Sequence, residues 1–105
     1  MSYKKYYFVY IITNRYKTVF YVGVTNNLKR RLDEHYRELV KGFSTRYRLK
    51  FLIHYEKFTD INIAIRREKE IKKWGKRKKK ALIDKNNPVW KFLNEGVMRI
   101  NDEYL

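Results

Sequence analysis

The chain opens its patterned part with "YYFVYIIT", residues 6–13, in which the residues of both alternating sets are apolar or aromatic. Aromatic and β-branched residues favour strands, and two apolar faces predict a strand covered on both sides. A polar connection, residues 14–18, leads to a second strand over residues 19–25, so the two read as a hairpin. A four-residue loop, Asn14 to Lys17, sets Thr13 opposite Thr18, a constant index sum of 31 that places Tyr10 directly opposite Tyr21. Loops one residue shorter or longer put these two tyrosines on opposite faces. Gly23, two residues beyond Tyr21, clears a side chain where a backbone or ligand approaches closely.

Helical spacing begins next. Thr25 and Asn26 are predicted caps for a helix over residues 27–41, with Leu28, Leu32, Tyr36, Leu39 and Val40 on one stripe and Gly42 as its stop. "FSTRYRLK" reads as a basic loop, and residues 50–58 as a third strand. Asp60 is expected to cap a helix over residues 61–74, which Gly75 interrupts. A further helix spans residues 76–85 until Asn86-Asn87-Pro88 ends it, and a last short helix is expected over residues 89–97. The order β-β-α-β-α-α predicts an α+β fold, a small antiparallel three-stranded sheet flanked by helices. At 105 residues the whole chain, 1–105, is expected to be a single domain.

Charge changes the picture. Lys and Arg outnumber Asp and Glu by 26 to 11, a net charge of +15 that repels itself in the folded state and predicts a polyanionic partner, nucleic acid before membrane. No run approaches the ~18 apolar residues of a membrane span. The N-terminal apolar run is too short and too rich in tyrosine for a signal peptide, so a cytoplasmic location is the expectation. Without cysteine there is no disulfide framework and no thiolate zinc site. "RREKEIKKWGKRKKK", residues 66–80, lays a basic strip along helix surface, either a solvated face or a track for phosphates. Arg30, Lys72 and Lys76, together with Arg46, Tyr47 and Arg48 of the basic loop, are the candidate nucleic-acid contacts, and Tyr47 suits stacking on a splayed base.

Glu68 is the most informative single residue. Ile61, Ala64, Ile65 and Ile71 define a buried stripe, and at about 100° per residue Glu68 falls inside it. An inward carboxylate is costly unless paired or bound to a cation, so it reads as a structural salt bridge or as a ligand for Mg²⁺ or Mn²⁺. Arg31 and His35, four apart on one helix face beside Leu28 and Leu32, suit a phosphate oxygen; otherwise Arg31 pairs with Glu34 or Glu38 on a solvated edge.

Together these residues resemble the GIY-YIG nuclease superfamily. The pattern runs Val9-Tyr10-Ile11, Tyr21-Val22-Gly23, Arg31, His35 and Glu68, with eleven residues from Tyr10 to Tyr21 and ten from Tyr21 to Arg31. "YVGVTNNLKRRLDEH" and "AIRREKEIKKW" look like its small single-domain bacterial branch, and the resemblance covers residues 6–90. It is similar as well to the nuclease domains of the excision-repair incision subunit and of homing endonucleases. The resemblance implies a DNA endonuclease that hydrolyses a phosphodiester by in-line attack of water and uses one divalent ion, Mg²⁺ or Mn²⁺, with Glu68 as its sole protein ligand. It gives Arg31 the phosphate charge, Tyr10 or Tyr21 the activation of water, and His35 an assisting or orienting role. A free tyrosine is a weak base at neutral pH, so nearby cations would have to lower its pKa. The first-motif glycine is Val9 here, and Asn87 corresponds to an asparagine that follows the carboxylate helix. The chain has no room for a separate DNA-recognition domain, so selectivity is expected from substrate structure (branched, damaged or flapped DNA) or from a protein partner in repair or recombination. RNA stays open as a substrate. A basic nucleic-acid-binding or accessory protein that cleaves nothing is the alternative.

Overall fold

The computed structural model describes residues 5–99. Strands β1 (Tyr7–Thr13), β2 (Phe20–Thr25) and β3 (Phe51–Phe58) form one antiparallel sheet in the order β2-β1-β3. Helices α1 (Leu28–Tyr36) and the short α2 (Phe43–Arg46) separate β2 from β3, and α3 (Ile61–Lys73), α4 (Lys76–Asn86) and α5 (Asn94–Arg99) follow. The α+β architecture is as expected.

β1 is the central strand, which explains its doubly apolar pattern. Phe8, Tyr10 and Ile12 join a cluster with Leu28 and Leu32 of α1, Leu49, Leu52 and Val97. Val9 and Ile11 point the other way, into a cluster with Val22, Ile53, Ala64 and Ile71 of α3, and Ile83 of α4. The helices thus cover both faces, and burying each large apolar side chain contributes roughly 1.5–3 kcal/mol.

The hairpin register differs from the expected one. Thr13 pairs with Phe20, so the index sum is 33 and Tyr10 faces Gly23, while Tyr21 faces Ile12. The Asn14 side chain is the cause. Its Oδ1 accepts from the Thr18 and Val19 amides at 2.8 and 3.2 Å, which takes both residues out of the ladder and lengthens the loop. Both sums are odd, so the two tyrosines still share a face.

A bulge in β3 sets the other side. Ile11 pairs with His54 but Ile12 with Leu52, so Ile53 is an extra residue. The insertion puts Tyr55 opposite Tyr10 and turns His54 towards the α3 side.

α1 is shorter than expected. Asn27, rather than Thr25 or Asn26, caps it by accepting from the Arg30 amide at 3.0 Å. Glu38 takes a positive φ of 59°, with Glu38 N–H donating to His35 O and Leu39 N–H to Glu34 O, a Schellman ending that needs no glycine. Tyr36 and Leu39, expected on the buried stripe, are therefore exposed. The basic "FSTRYRLK" segment contains α2 and ends the same way, with Arg48 at φ 56° and the Leu49 amide donating to Ser44 O. On α3, Asp60 caps as expected, and Ile61 at the first turn is exposed. The last helix starts five residues later than expected because Asn87 holds the chain in a turn, its Oδ1 accepting from the Lys91 amide and its Nδ2 donating to Lys91 O.

Candidate active site

Tyr10 occupies the centre. Its ring crosses the sheet towards β2, and Gly23 leaves the space it uses: a Cβ there would meet the Tyr10 hydroxyl oxygen and ring carbon Cζ at 2.4 Å each. The hydroxyl lies 3.0 Å from His35 Nε2 and accepts from Arg31 Nε at 3.2 Å. Helical spacing of four puts Arg31 and His35 on the same side of α1, so one phenol bridges both. Tyr21 completes the group, its ring centroid 6.3 Å from that of Tyr10 and 5.6 Å from that of His35.

Burial decides the protonation states. Tyr10 is 1% exposed, and desolvation pushes its pKa up to about 12 against the opposing pull of Arg31. His35 falls to about 4, first by burial and then by the Arg31 charge. Arg31 is raised, chiefly by its hydrogen bond to Tyr10. The centre at neutral pH is therefore a phenol, a neutral imidazole and a guanidinium. With Arg31 donating to the phenol oxygen, we assign the Tyr10 proton to the bond with His35 Nε2, which leaves the imidazole proton on Nδ1. That Nδ1 is buried and has no hydrogen-bond partner among the described residues. The expected lowering of a tyrosine pKa by nearby cations does not occur at Tyr10, because desolvation outweighs Arg31.

Glu68 stands in the other helical layer. It is 8% exposed, inside the stripe of Ala64 and Ile71, and its Oε1 is 2.8 Å from Lys72 Nζ. Lys72 in turn lies 5.9 Å from the Tyr21 ring centroid. Tyr21 is on the α1 side of the sheet and α3 on the opposite side, so the two meet round the free edge of β2. Tyr10 contacts Tyr21, Arg31 and His35, Tyr21 also contacts His35, and Glu68 is linked to Tyr21 through Lys72. Of the two sequence readings of Glu68, the salt bridge is present, and its lysine is half-exposed.

The opposite flank of α3 is clamped. Arg67 donates from Nε to Glu56 Oε1 at 2.8 Å and from Nη2 to Oε2 at 3.1 Å, and His54 Nε2 lies 2.8 Å from that same Oε2. Burial would raise the Glu56 pKa, but the bonds from His54 and Arg67 outweigh it and bring it down to about 2. This bidentate pair ties α3 to β3 one residue before Glu68. Sequence reasoning missed it, since no spacing rule links Glu56 to Arg67 across two elements. The Arg31–Glu34 pair is one the sequence reading names, whereas the partner of Glu68, Lys72 four residues on, goes unnamed there although its spacing is helical.

The remaining candidates are scattered. Arg30 is exposed and donates to Asn26 Oδ1, Arg46 lies over the Tyr47 ring, and Lys76 over the Phe20 ring. Asn87 is buried, and its amide serves Ile53 O, Lys91 O and the Lys91 amide, so its role here is to fix the chain behind β3.

No curated protein matches the chain. A solution NMR structure of the UPF0213 protein BH0048 from Bacillus halodurans is similar over 75% of this chain and 83% of that one, at 25% identity and a TM-score of 0.49. The model of the GIY-YIG catalytic domain family matches residues 6–81, most of the chain and all of the site from Tyr10 to Glu68. The chain belongs to the GIY-YIG family.

Proposed function

We infer that the chain is a divalent-metal-dependent DNA endonuclease. The family is one of nucleases, which generally use divalent ions. The carrying observation is the permanently charged Arg31, fixed by a buried phenol that a partly exposed tyrosine flanks, with the inward Glu68 joined to that tyrosine through Lys72.

Arg31 holds the phosphate. Its Nε is committed to Tyr10 and its Nη1 contacts Glu34 at 3.4 Å, which leaves further N–H groups for phosphate oxygens. Tyr10 is a positioning residue: a buried phenol with a pKa near 12 is too weakly acidic to serve as a base at neutral pH. Tyr21, partly exposed, is the phenol that solvent reaches, and it is the candidate for orienting and deprotonating the attacking water. His35, neutral and buried, keeps Tyr10 and hence Arg31 in place.

The residues fit one hard cation. Glu68 supplies a nearly buried carboxylate whose present partner, Lys72, is a flexible and half-exposed side chain able to leave. A single carboxylate suits Mg²⁺ or Mn²⁺ held together with water and substrate phosphate. When bound, such an ion stabilises charge on the leaving oxygen. Lys72, released from Glu68, becomes free for a phosphate.

Selectivity for branched, damaged or flapped DNA, and recruitment by a repair or recombination partner, extend this reading. The Glu68–Lys72 pair favours a second one, a binding protein whose carboxylate is permanently neutralised. Supercoiled, single-stranded and branched DNA incubated with Mg²⁺, Mn²⁺ or EDTA separates them. Nicking is expected with metal, and it should vanish with EDTA or Glu68→Gln while binding survives. Absence of cleavage for every substrate and metal, with binding retained, favours the binding reading, and undiminished cleavage by Glu68→Gln rejects the ligand assignment.

A further inference from the structure

At the hairpin end of the sheet, away from Tyr10, a cavity of about 320 Å³ lies between the β1–β2 connection and the segment from α2 into β3. Its walls include Arg15 and Tyr16 on one side and Tyr47, Arg48, Lys50 and Phe51 on the other. We propose that this cavity takes an unpaired base of a single nucleic-acid strand, with Tyr16 and Tyr47 as stacking surfaces and Arg15 and Arg48 on the flanking phosphates. The proposal rests on the reading that the chain binds nucleic acid, and it adds the part of the substrate that is held here.

The composition of the walls points to that ligand. Tyr16 is 76% exposed and Tyr47 44%, so both rings present apolar faces to water. Phe43 lies against Tyr47 at a centroid distance of 4.7 Å, and Arg46 at 5.7 Å from the ring centroid, which supports one part of that ring and leaves the rest open. Flat π-faces bordered by guanidinium groups match a base with its phosphates, since stacking is indifferent to base identity and the cations follow the backbone. A bare phosphate would not explain two exposed aromatic rings. A cavity of this size stands at the small end of the ~300–1,000 Å³ range of ligand sites, room for one nucleotide rather than a duplex.

Both walls are preformed. Asn14 holds the connection through the Thr18 and Val19 amides. Buried Leu49 and the positive φ of Arg48 hold the other wall. Arg15 and Arg48 have no side-chain hydrogen bond or ion pair among the described residues. Lys50 is already paired with Glu38 at 3.2 Å and is left out of the contact set. Asn14 follows Tyr10 by four residues, about 13 Å along an extended strand, so one strand several nucleotides long reaches both places.

The test uses a single-stranded oligonucleotide carrying 2-aminopurine, a blunt duplex of equal length and a free mononucleotide, all in EDTA so that binding is read without cleavage. Expected are quenching of the single-stranded probe, an affinity for it about tenfold weaker in Tyr16→Ala and in Tyr47→Ala, and little change for the duplex. Tyr16→Trp should restore both quenching and affinity. Equal losses on strand and duplex, or a bound but unquenched probe, overturn the proposal while leaving nucleic-acid binding intact. Competition by the mononucleotide at the oligonucleotide's own concentration reassigns the cavity to free nucleotides. Quenching without cleavage in a metal-containing control sinks the nuclease reading alone.

Discussion

Tyr10 lies over Gly23, its partner in the β1–β2 ladder, so closely that a methyl group at residue 23 would come within 2.4 Å of the phenol oxygen. The contact explains why a chain with four glycines places one in the middle of β2. The phenol cannot swing aside, because His35, Arg31 and Tyr21 enclose it. Gly23→Ala should therefore cost about 1–3 kcal/mol, the usual penalty of overpacking, read from urea denaturation. In a Tyr10→Ala background the same change should cost close to nothing, since the two residues are in contact. Equal costs in both backgrounds would show that the glycine serves the backbone rather than the phenol.

Tyr10→Phe removes the oxygen shared by Arg31 and His35. Leaving a buried imidazole nitrogen unpaired should destabilise the fold by roughly 1–3 kcal/mol and weaken cleavage by loosening Arg31. The alkaline limb supplies a separate check. Because the folded-state pKa is raised from 10.0 to about 12, folding favours the protonated phenol. That stability is fully present below pH 10, and it should be lost as pH rises through about 12. A Tyr10→Phe variant with an unchanged alkaline limb contradicts the assignment.

On the acid side the sign is set by groups whose pKa is lowered. His35 drops from 6.5 to about 4, so the unfolded chain binds its proton first and stability falls as pH goes from 6.5 through 4. Glu56 drops from 4.5 to about 2, and its share is lost below pH 4.5. His35→Asn should flatten the first window and spare the second. Stability that stays level between pH 6.5 and 4.5 in the parent chain would mean that His35 is not held neutral.

Duplex binding should weaken linearly in a plot of log affinity against log salt. The net charge of +15 supplies the attraction, and Lys76 and Lys79 line an open cleft beside Thr18, Val19 and Phe20. Each phosphate neutralised contributes about 0.9 to the slope. Replacing both lysines by glutamine should reduce its magnitude by about 1.8 if both touch phosphates. An unaltered slope would remove this face from the DNA track.

Much of the architecture was legible in the order of residues. Aromatic and β-branched runs located the strands, the doubly apolar pattern of residues 6–13 identified a strand covered on both faces, and helix phase placed Glu68 inward. Helix ends were less legible, because Glu38 and Arg48 adopt positive φ without being glycine. The gain there comes from burying Leu49 and satisfying terminal carbonyls, which no propensity records.

The candidate site divides along the same line. Residue identity and spacing single out Tyr10, Tyr21, Arg31, His35 and Glu68 as local features, and the family resemblance joins them into one candidate site. Which of them carries a proton is not local. The register shift made by Asn14 and the bulge at Ile53 set Tyr10 over Gly23 and beneath α1. Only packing between the sheet and α1 then excludes enough water to push the phenol up and the imidazole down. The partner of Glu68, and its approach to Tyr21 round the edge of β2, likewise depend on how α3 docks across the sheet, where free energy is exchanged between groups distant in the chain.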